Sequence, residues 1–491
     1  MMTDTDSTSF RWAALSRSRQ AALALLGLTV AATEFSIAIG QSFLALALVA
    51  WAVVLVTERR RPSAPAWIVP ILLYAAWTLV SVAFSPDFST SIKESKQIVL
   101  LLLVPLTYEI VDDQSAVPLT TIMLAAGAAS AVVGIGQYSL FHYDNLGLRP
   151  RSALGMYMTF SGLMMLMLNL AVSRVLFMAK SRMWPALLIP ALVVALALSL
   201  SRNDWVGASC AVAFLLMLCD LRLMALLPAA AIVAFALASS VVRQRFYSIF
   251  NLQDATIRDR LAMIRAGARI IRAHPVVGVG PNMIERSYPL YRDEGAVLQT
   301  PPHLHNVPLQ IAAERGIPAL ALWLWFVAVV IVDAARLFRQ APAASPVRFL
   351  SATALASMVG MLSAGLFEHN FGDSEFLMIF LVLITLPFAA GKQNATRALR
   401  RQGGSNDQCR KCRRPVNTMV KPCSFAAAIT SASRTDPPGC TTAVAPAFAT
   451  ASSPSRNGKN ASDAATDRSR SCPPRAAAFM MATLTASTRL I

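Results

Sequence analysis

Apolar residues recur in runs of 15 to 25 positions, broken by short polar intervals, from residue 21 to residue 390. A helix crosses the ~30 Å hydrocarbon layer of a bilayer with about 20 such residues. Twelve runs predict crossing helices, at about 21–39, 41–57, 66–84, 97–111, 116–140, 156–177, 185–200, 205–219, 223–240, 317–333, 349–367 and 376–390. The fourth and eighth are short, which suits tilted or partly re-entrant segments. The expected fold is all-α: a polytopic membrane protein with about 12 transmembrane helices. The pattern breaks once at length, at 241–316, and the chain divides around it. The expected parts are an N-terminus at 1–20, nine helices over 21–240, a large loop at 241–316, three helices over 317–390 and a tail at 391–491.

Residues 241–306 hold nine arginines, no lysine, and the histidines His274, His303 and His305. A planar guanidinium grips phosphate oxygens through two parallel bonds, which an ammonium point charge does not. Arginines beside membrane-crossing runs therefore point to an anionic ligand at the water–lipid boundary. A solvated face or a headgroup contact explains the same composition without a specific ligand. Within the loop, 255–273 has a helical period. Ile257, Leu261, Ile264, Ala268 and Ile271 share one face, and Arg258, Arg265, Arg269 and Arg272 share another. Such a helix can lie flat on a membrane, apolar side down. Arg260 lies outside the basic stripe and points toward the protein body, as a structural salt bridge or as a ligand contact.

HPVVGVGPN (274–282) follows, and its Pro275, Gly278, Gly280 and Pro281 predict a tight turn. Two glycines would let backbone approach a ligand, although a plain turn explains them equally. His303-Leu304-His305-Asn306 then opens a helical stretch through Glu314 into the tenth run. A histidine at the mouth of a membrane helix can act as a general base, since its ordinary pKa of about 6.5 lies near neutrality. Otherwise it is an interfacial histidine bonded to a carbonyl. A metal on the His303/His305 pair lacks a tetrahedral ligand set, with only His274 nearby. Ser201-Arg202-Asn203-Asp204-Trp205, the 368–375 turn and the Arg149/Arg151 region bring more polar groups to the same outer side. Inside the apolar runs Glu34 is the clearest isolated charge, a functional candidate unless it snorkels from a helix end.

Only 14% of residues are charged against 55% hydrophobic, as expected of a membrane body. The net charge of +18 resides mainly in the tail, where sixteen Lys and Arg face four Asp, so nucleic acid is not an expected partner. Five of seven cysteines (Cys409, Cys412, Cys423, Cys440, Cys472) lie in the tail, and Cys210 and Cys219 offer the body no disulfide framework. The tail composition predicts disorder, or a reading-frame artefact. The start shows no cleavable signal. Lys and Arg are denser at Arg11, Arg17, Arg19, at Arg59, Arg60, Arg61, at Lys180, Arg182, at Arg222 and at Arg336, Arg339, Arg348 than in the opposite short loops. Positive charge stays inside, so both termini are expected in the cytoplasm and the 241–306 loop outside.

The blocks HPVVGVG, then HN and LQIAAERGIP entering a run, resemble the O-antigen ligase and O-antigen polymerase superfamily. SRNDWVG resembles its SR-x-x-W segment, Asp259-Arg260 its loop arginine, and EHNFGDSE its last outer turn. RPRSALGMYMTFSGLMML is similar to its segment between the fifth and sixth spans. The resemblance covers roughly 90–390. Asn203 and Asp204 stand where small residues are usual, Ile264 where an aromatic is common and Ala319 where glycine is usual. The family implies a metal-independent, cofactor-free, inverting glycosyltransferase, multi-pass in the bacterial inner membrane, with its site facing the periplasm. Its donor would be an undecaprenyl-diphosphate-linked glycan. Its acceptor would be the hydroxyl of lipid A–core, as in a ligase, or of a lipid-linked glycan, as in a polymerase. Protein hydroxyls are a further alternative. A lipid-linked-sugar transporter is disfavoured, because no internal repeat or mid-membrane polar site is visible. Carried onto this chain, His305 is the expected base and Arg202 and Arg260 the expected diphosphate ligands. Arg265, Arg286 and His303 are outer substrate-binding candidates, and Asn306 or Glu314 would orient the base.

Overall fold

The structure, a computed structural model, describes residue 12 and residues 15–145, 147–248, 255–293, 296 and 298–411. Among these residues every regular element is helical. The first three helices are α1 (Arg17–Thr33), α2 (Ile37–Thr57) and α3 (Ile68–Ala83); α4 (Phe88–Glu94) leads through a 3₁₀ segment, Ser95–Leu102, into α5 (Leu103–Ile110). Then come α6 (Ala116–Leu140), α7 (Tyr157–Phe177), α8 (Met183–Leu198), α9 (Arg202–Cys219) and α10 (Leu226–Leu237). The polar interval holds α11 (Ser240–Tyr247), α12 (Ala255–Ala273) and α13 (Ile284–Tyr291). The last three are α14 (Val307–Gln340), α15 (Pro346–Gly365) and α16 (Ser374–Lys411). Each predicted apolar run falls on helical structure. Among the described residues, six helices are long and apolar enough to cross a bilayer: α2, α6, α7, α14, α15 and α16 as far as Lys392. Ile68–Ala83, Met183–Leu198 and Leu221–Leu237 are apolar but shorter. The chain is therefore a multi-pass helical membrane protein, with six helices of crossing length among the described residues where the runs predict twelve crossings.

Apolar surface is arranged for lipid outside and close packing inside. In α7, 89% of the crossing window is buried, and it packs against α6, α8, α9, α15 and α16. Only 28% of the α2 window is buried, and its Leu46, Val49, Val53 and Val56 are exposed. A helix apolar on every side has no water-facing side, so exposed valines and leucines mark contact with lipid. Glu34 follows α1 and is fully buried rather than snorkelling; both its carboxylate oxygens lack a hydrogen-bond partner, while Ser130 of α6 donates to its backbone oxygen.

The polar interval has a small core of its own, formed by Met263, Ala266, Ile270, Val279, Met283, Ile284, Tyr288, Leu304 and Ala313. This corrects the expected apolar face of α12. Its buried stripe is Asp259, Ala262, Met263, Ala266, Gly267 and Ile270, whereas Leu261 and Ile264 are exposed. Small residues let α12 approach the start of α14 closely: a Cβ on Gly267 would lie 2.8 Å from Leu309. The helix therefore has three faces, one docked on the body, one exposed and apolar, and one basic.

The glycines of the 274–282 turn serve backbone rather than ligand. α14 breaks at Gly316 (φ 81°, ψ 171°), and the turn clasps the break. Val279 and Gly280 N–H groups donate to Ala313 and Glu314 carbonyls at 3.0 and 2.9 Å, and Ile317 N–H donates to Pro275 at 2.8 Å. A Cβ on Gly316 would sit 1.9 Å from the Val276 oxygen. At the other end, α16 continues to Lys411, past the point where the sequence starts the tail. Residues 412–491, with Cys412, Cys423, Cys440 and Cys472, lie outside the described residues.

Candidate active site

Four chain segments meet at one end of α9. Ser201 is extended, and the first turn of α9 that follows is buried despite its polarity: Arg202 is 8%, Asn203 5% and Asp204 2% exposed. Asp204 accepts from Ser201 Oγ at 2.7 Å and from Ser161 of α7. A carboxylate in the first turn also suits the positive end of a helix dipole. From the loop, Arg260 of α12 reaches the same point. From the N-terminus of α14 comes His305, whose φ of +49° places it in the left-handed region. From the 366–373 turn between α15 and α16 comes Glu368, 7% exposed.

Glu368 organises these pieces. His305 Nδ1 lies 2.9 Å from its Oε1, which also accepts the backbone N–H of His369 at 3.0 Å. Its Oε2 accepts Asn203 Nδ2 at 3.1 Å. A carboxylate only accepts, so Nδ1 is the protonated nitrogen of a neutral His305, and Nε2 keeps a lone pair for a base. Burial alone would raise the Glu368 pKa. The bond and charge of His305, the His369 N–H and the Arg260 charge outweigh it and hold the carboxyl down to about 2. His303 and His369 flank the pair, with ring centroids 5.8 Å (His303–His305) and 5.6 Å (His303–His369) apart. Burial lowers His303, and burial with the neighbouring His303 and Arg315 charges pushes His369 down to about 3. Both flanking rings are therefore neutral at pH 7.

Arginines border this pair. Arg260 Nη1 donates to Asn203 Oδ1 at 2.9 Å. Arg202 Nη1 donates to the carbonyl and hydroxyl of Ser248, each at 3.1 Å, and Arg245 Nε to the Leu200 carbonyl at 3.3 Å. Arg149 stacks over the Tyr157 ring, 4.1 Å from its centroid, and burial followed by the charge of Arg202 opposes its ionisation. Tyr157 lies within electrostatic reach of Arg149, Arg245, Arg260 and Glu368. The arrangement joins a base poised by a carboxylate to guanidiniums that could hold an anionic leaving group.

The sequence expectations divide here. Arg202, Arg260, His303 and His305 converge. Arg265 does not; with Arg269 it pairs with Asp293 at 2.6 Å, and those bonds hold Asp293 below the usual carboxylate range. Arg286 faces Asp87 at 3.4 Å. Asn306 caps α14, accepting from Leu309 N–H at 2.9 Å and donating to the Leu366 carbonyl at 2.9 Å. Glu314 ties the clasp, accepting from Asn282 N–H and Gln310 at 2.8 Å and from Arg315 at 2.6 Å. Neither of them orients His305, since Glu368 does. Asn203, Arg149, Arg245 and His369 join the site without an assigned role in the sequence reading. Among the described residues no group of three or more His, Cys, Asp or Glu is placed to hold a metal ion.

Crossing-length apolar helices with a polar arginine–histidine–carboxylate cluster define a multi-pass membrane protein with one candidate polar site. Residues 186–324 match the family model described as O-antigen ligase. The matched segment runs from α8 into α14 and contains Arg202, Asn203, Arg260, His303 and His305; Glu368 lies beyond it. No curated protein matches the chain.

Proposed function

We propose that this protein transfers a glycan from an undecaprenyl-diphosphate carrier to an acceptor hydroxyl at the periplasmic face of a bacterial inner membrane. Lipid A–core is the acceptor in this reading. The observation that carries it is the His305–Glu368 pair beside Arg202 and Arg260, with His305 and both arginines inside the segment that matches the O-antigen ligase model.

In the step itself, the acceptor oxygen attacks the anomeric carbon of the donor glycan. His305 Nε2 takes the hydroxyl proton as the new glycosidic bond forms. The bond from anomeric carbon to phosphate oxygen breaks, and the lipid diphosphate leaves with the electron pair. Attack opposite the leaving group inverts the anomeric centre. Arg202 and Arg260 bind the diphosphate and stabilise the charge that grows on it, an effect whose loss typically costs about 2.7–4 kcal/mol per donor. Positioned proton transfer contributes about 10²–10⁴-fold. Glu368 stabilises the imidazolium and keeps Nε2 toward the substrate, the logic of an acid–histidine pair.

The test uses the full chain in proteoliposomes with an undecaprenyl-diphosphate-linked glycan, offered lipid A–core or lipid-linked repeats separately. Glycan on lipid A–core, falling about 10²–10⁴-fold in His305→Ala, supports the ligase reading. Longer lipid-linked chains identify a polymerase acting through the same site. Full transfer by His305→Ala sinks the base assignment. Movement of the lipid-linked glycan across the bilayer, with no transfer to either acceptor, replaces the enzyme with a transporter.

A further inference from the structure

Asn203 occupies a position between two charges. Its side chain is 5% exposed, its Nδ2 donates to Glu368 Oε2 at 3.1 Å, and its Oδ1 accepts from Arg260 Nη1 at 2.9 Å. The amide orientation is dictated by its partners, because a carboxylate cannot donate and a guanidinium cannot accept. One neutral group thus joins three separate pieces of the chain: α9, the loop helix α12 and the turn between α15 and α16. It also stands between a buried anion and a cation that would otherwise be drawn together.

We propose that Asn203 is a positioning residue that acts as a neutral spacer. It holds the Arg260 guanidinium toward the donor diphosphate and keeps the Glu368 charge for His305. This rests on the transfer reading, and it assigns a role to a residue that contacts neither reacting atom. The chemistry of the alternatives is plain. A small residue at 203 would leave a gap into which Arg260 and Glu368 could collapse as a direct ion pair. That pair would take from the donor its cation and from His305 part of its counter-charge. A carboxylate at 203 would capture Arg260 and repel Glu368. The spacer also couples loop to body: α12 docks through small apolar residues, and the Asn203–Arg260 bond anchors its N-terminal end to α9.

The test compares Asn203→Asp, which is isosteric, and Asn203→Ala, which removes both bonds and leaves the gap, in the purified full-length protein. Two quantities are read. One is equilibrium binding of undecaprenyl diphosphate, which needs no turnover. The other is the pH profile of kcat/KM for transfer. The expected result is at least tenfold weaker diphosphate binding in both variants. The acid limb should shift in opposite senses: to higher pH in Asn203→Asp, where added negative charge favours the imidazolium, and to lower pH in Asn203→Ala, where Arg260 neutralises Glu368. Wild-type binding and an unshifted profile in both variants overturn the proposal, even if their thermal stability falls, since packing alone would then explain Asn203. If the wild type binds the lipid diphosphate but transfers nothing, the transfer reading fails. The binding arm then still decides whether Asn203 positions Arg260. If the wild type does not bind it, both fall together.

Discussion

Glu368 is the residue on which the site's protonation depends. Replacing it by Gln keeps the shape but allows the amide to donate to Nδ1, which turns the proton of a neutral His305 onto Nε2, the wrong nitrogen for a base. Glu368→Gln is expected to lower kcat by about 10²-fold or more while changing the donor KM little, measured on reconstituted protein. The same turn predicts a direction for acid stability. Glu368, held at about 2, stays ionised where an ordinary glutamate near 4.5 takes up a proton; its contribution is present above 4.5 and is lost as pH falls toward 2. His369, held at about 3, stays neutral in the fold while an unfolded histidine protonates below 6.5. Its contribution therefore declines from pH 6.5 downward. Melting of the detergent-solubilised protein should drop between pH 7 and pH 4, and His369→Asn should flatten the upper part of that drop. His305 and Arg260 were legible because they sit in a polar loop amid apolar runs. Their partners were not: Glu368 is 63 residues from His305 and Asn203 is 57 from Arg260, and a partner search along the chain favours neighbours such as Asn306 and Glu314.

Among the elements, α12 and the broken α14 show where periodicity helps and where it misleads. The helix α12 was legible to its ends, but its docked face was not. Hydrophobicity singles out Leu261 and Ile264, whereas the docked face relies on Ala262, Ala266 and Gly267, whose value is close approach rather than apolar area. The exposed strip suits a membrane surface. An environment-sensitive dye on Cys at 264 should report an apolar setting in proteoliposomes, and the same dye on Cys at 265 an aqueous one; water at both positions would remove the surface-lying role. The clasp was legible as a turn but not in its role: glycines that admit backbone look the same in sequence as glycines that admit a ligand. Gly316→Ala must place a methyl group against the Val276 carbonyl in a left-handed backbone. It should cost at least about 2 kcal/mol, seen as lost folded yield and lower melting temperature.

At the scale of the whole molecule, the apolar runs gave the helices with little error, since a crossing segment must satisfy its own backbone. The number of crossings was harder, because α8, α10 and the 3₁₀–α5 pair are apolar but short, and length is what separates crossing from burial. Sidedness is open to direct measurement. In a cysteine-free background, Cys at 272 should react with an impermeant maleimide on intact spheroplasts, and Cys at 340 only after permeabilisation; the opposite pattern would invert the orientation. The route by which the site comes together has a consequence for biosynthesis. A nascent chain emerges in order, so Asn203, Arg260 and His305 are all in place, or in the translocation machinery, before Glu368 leaves the ribosome. The histidine thus emerges 63 residues ahead of its carboxylate partner, which arrives only with the final helical hairpin. The site is thereby incomplete until α15 and α16 have seated.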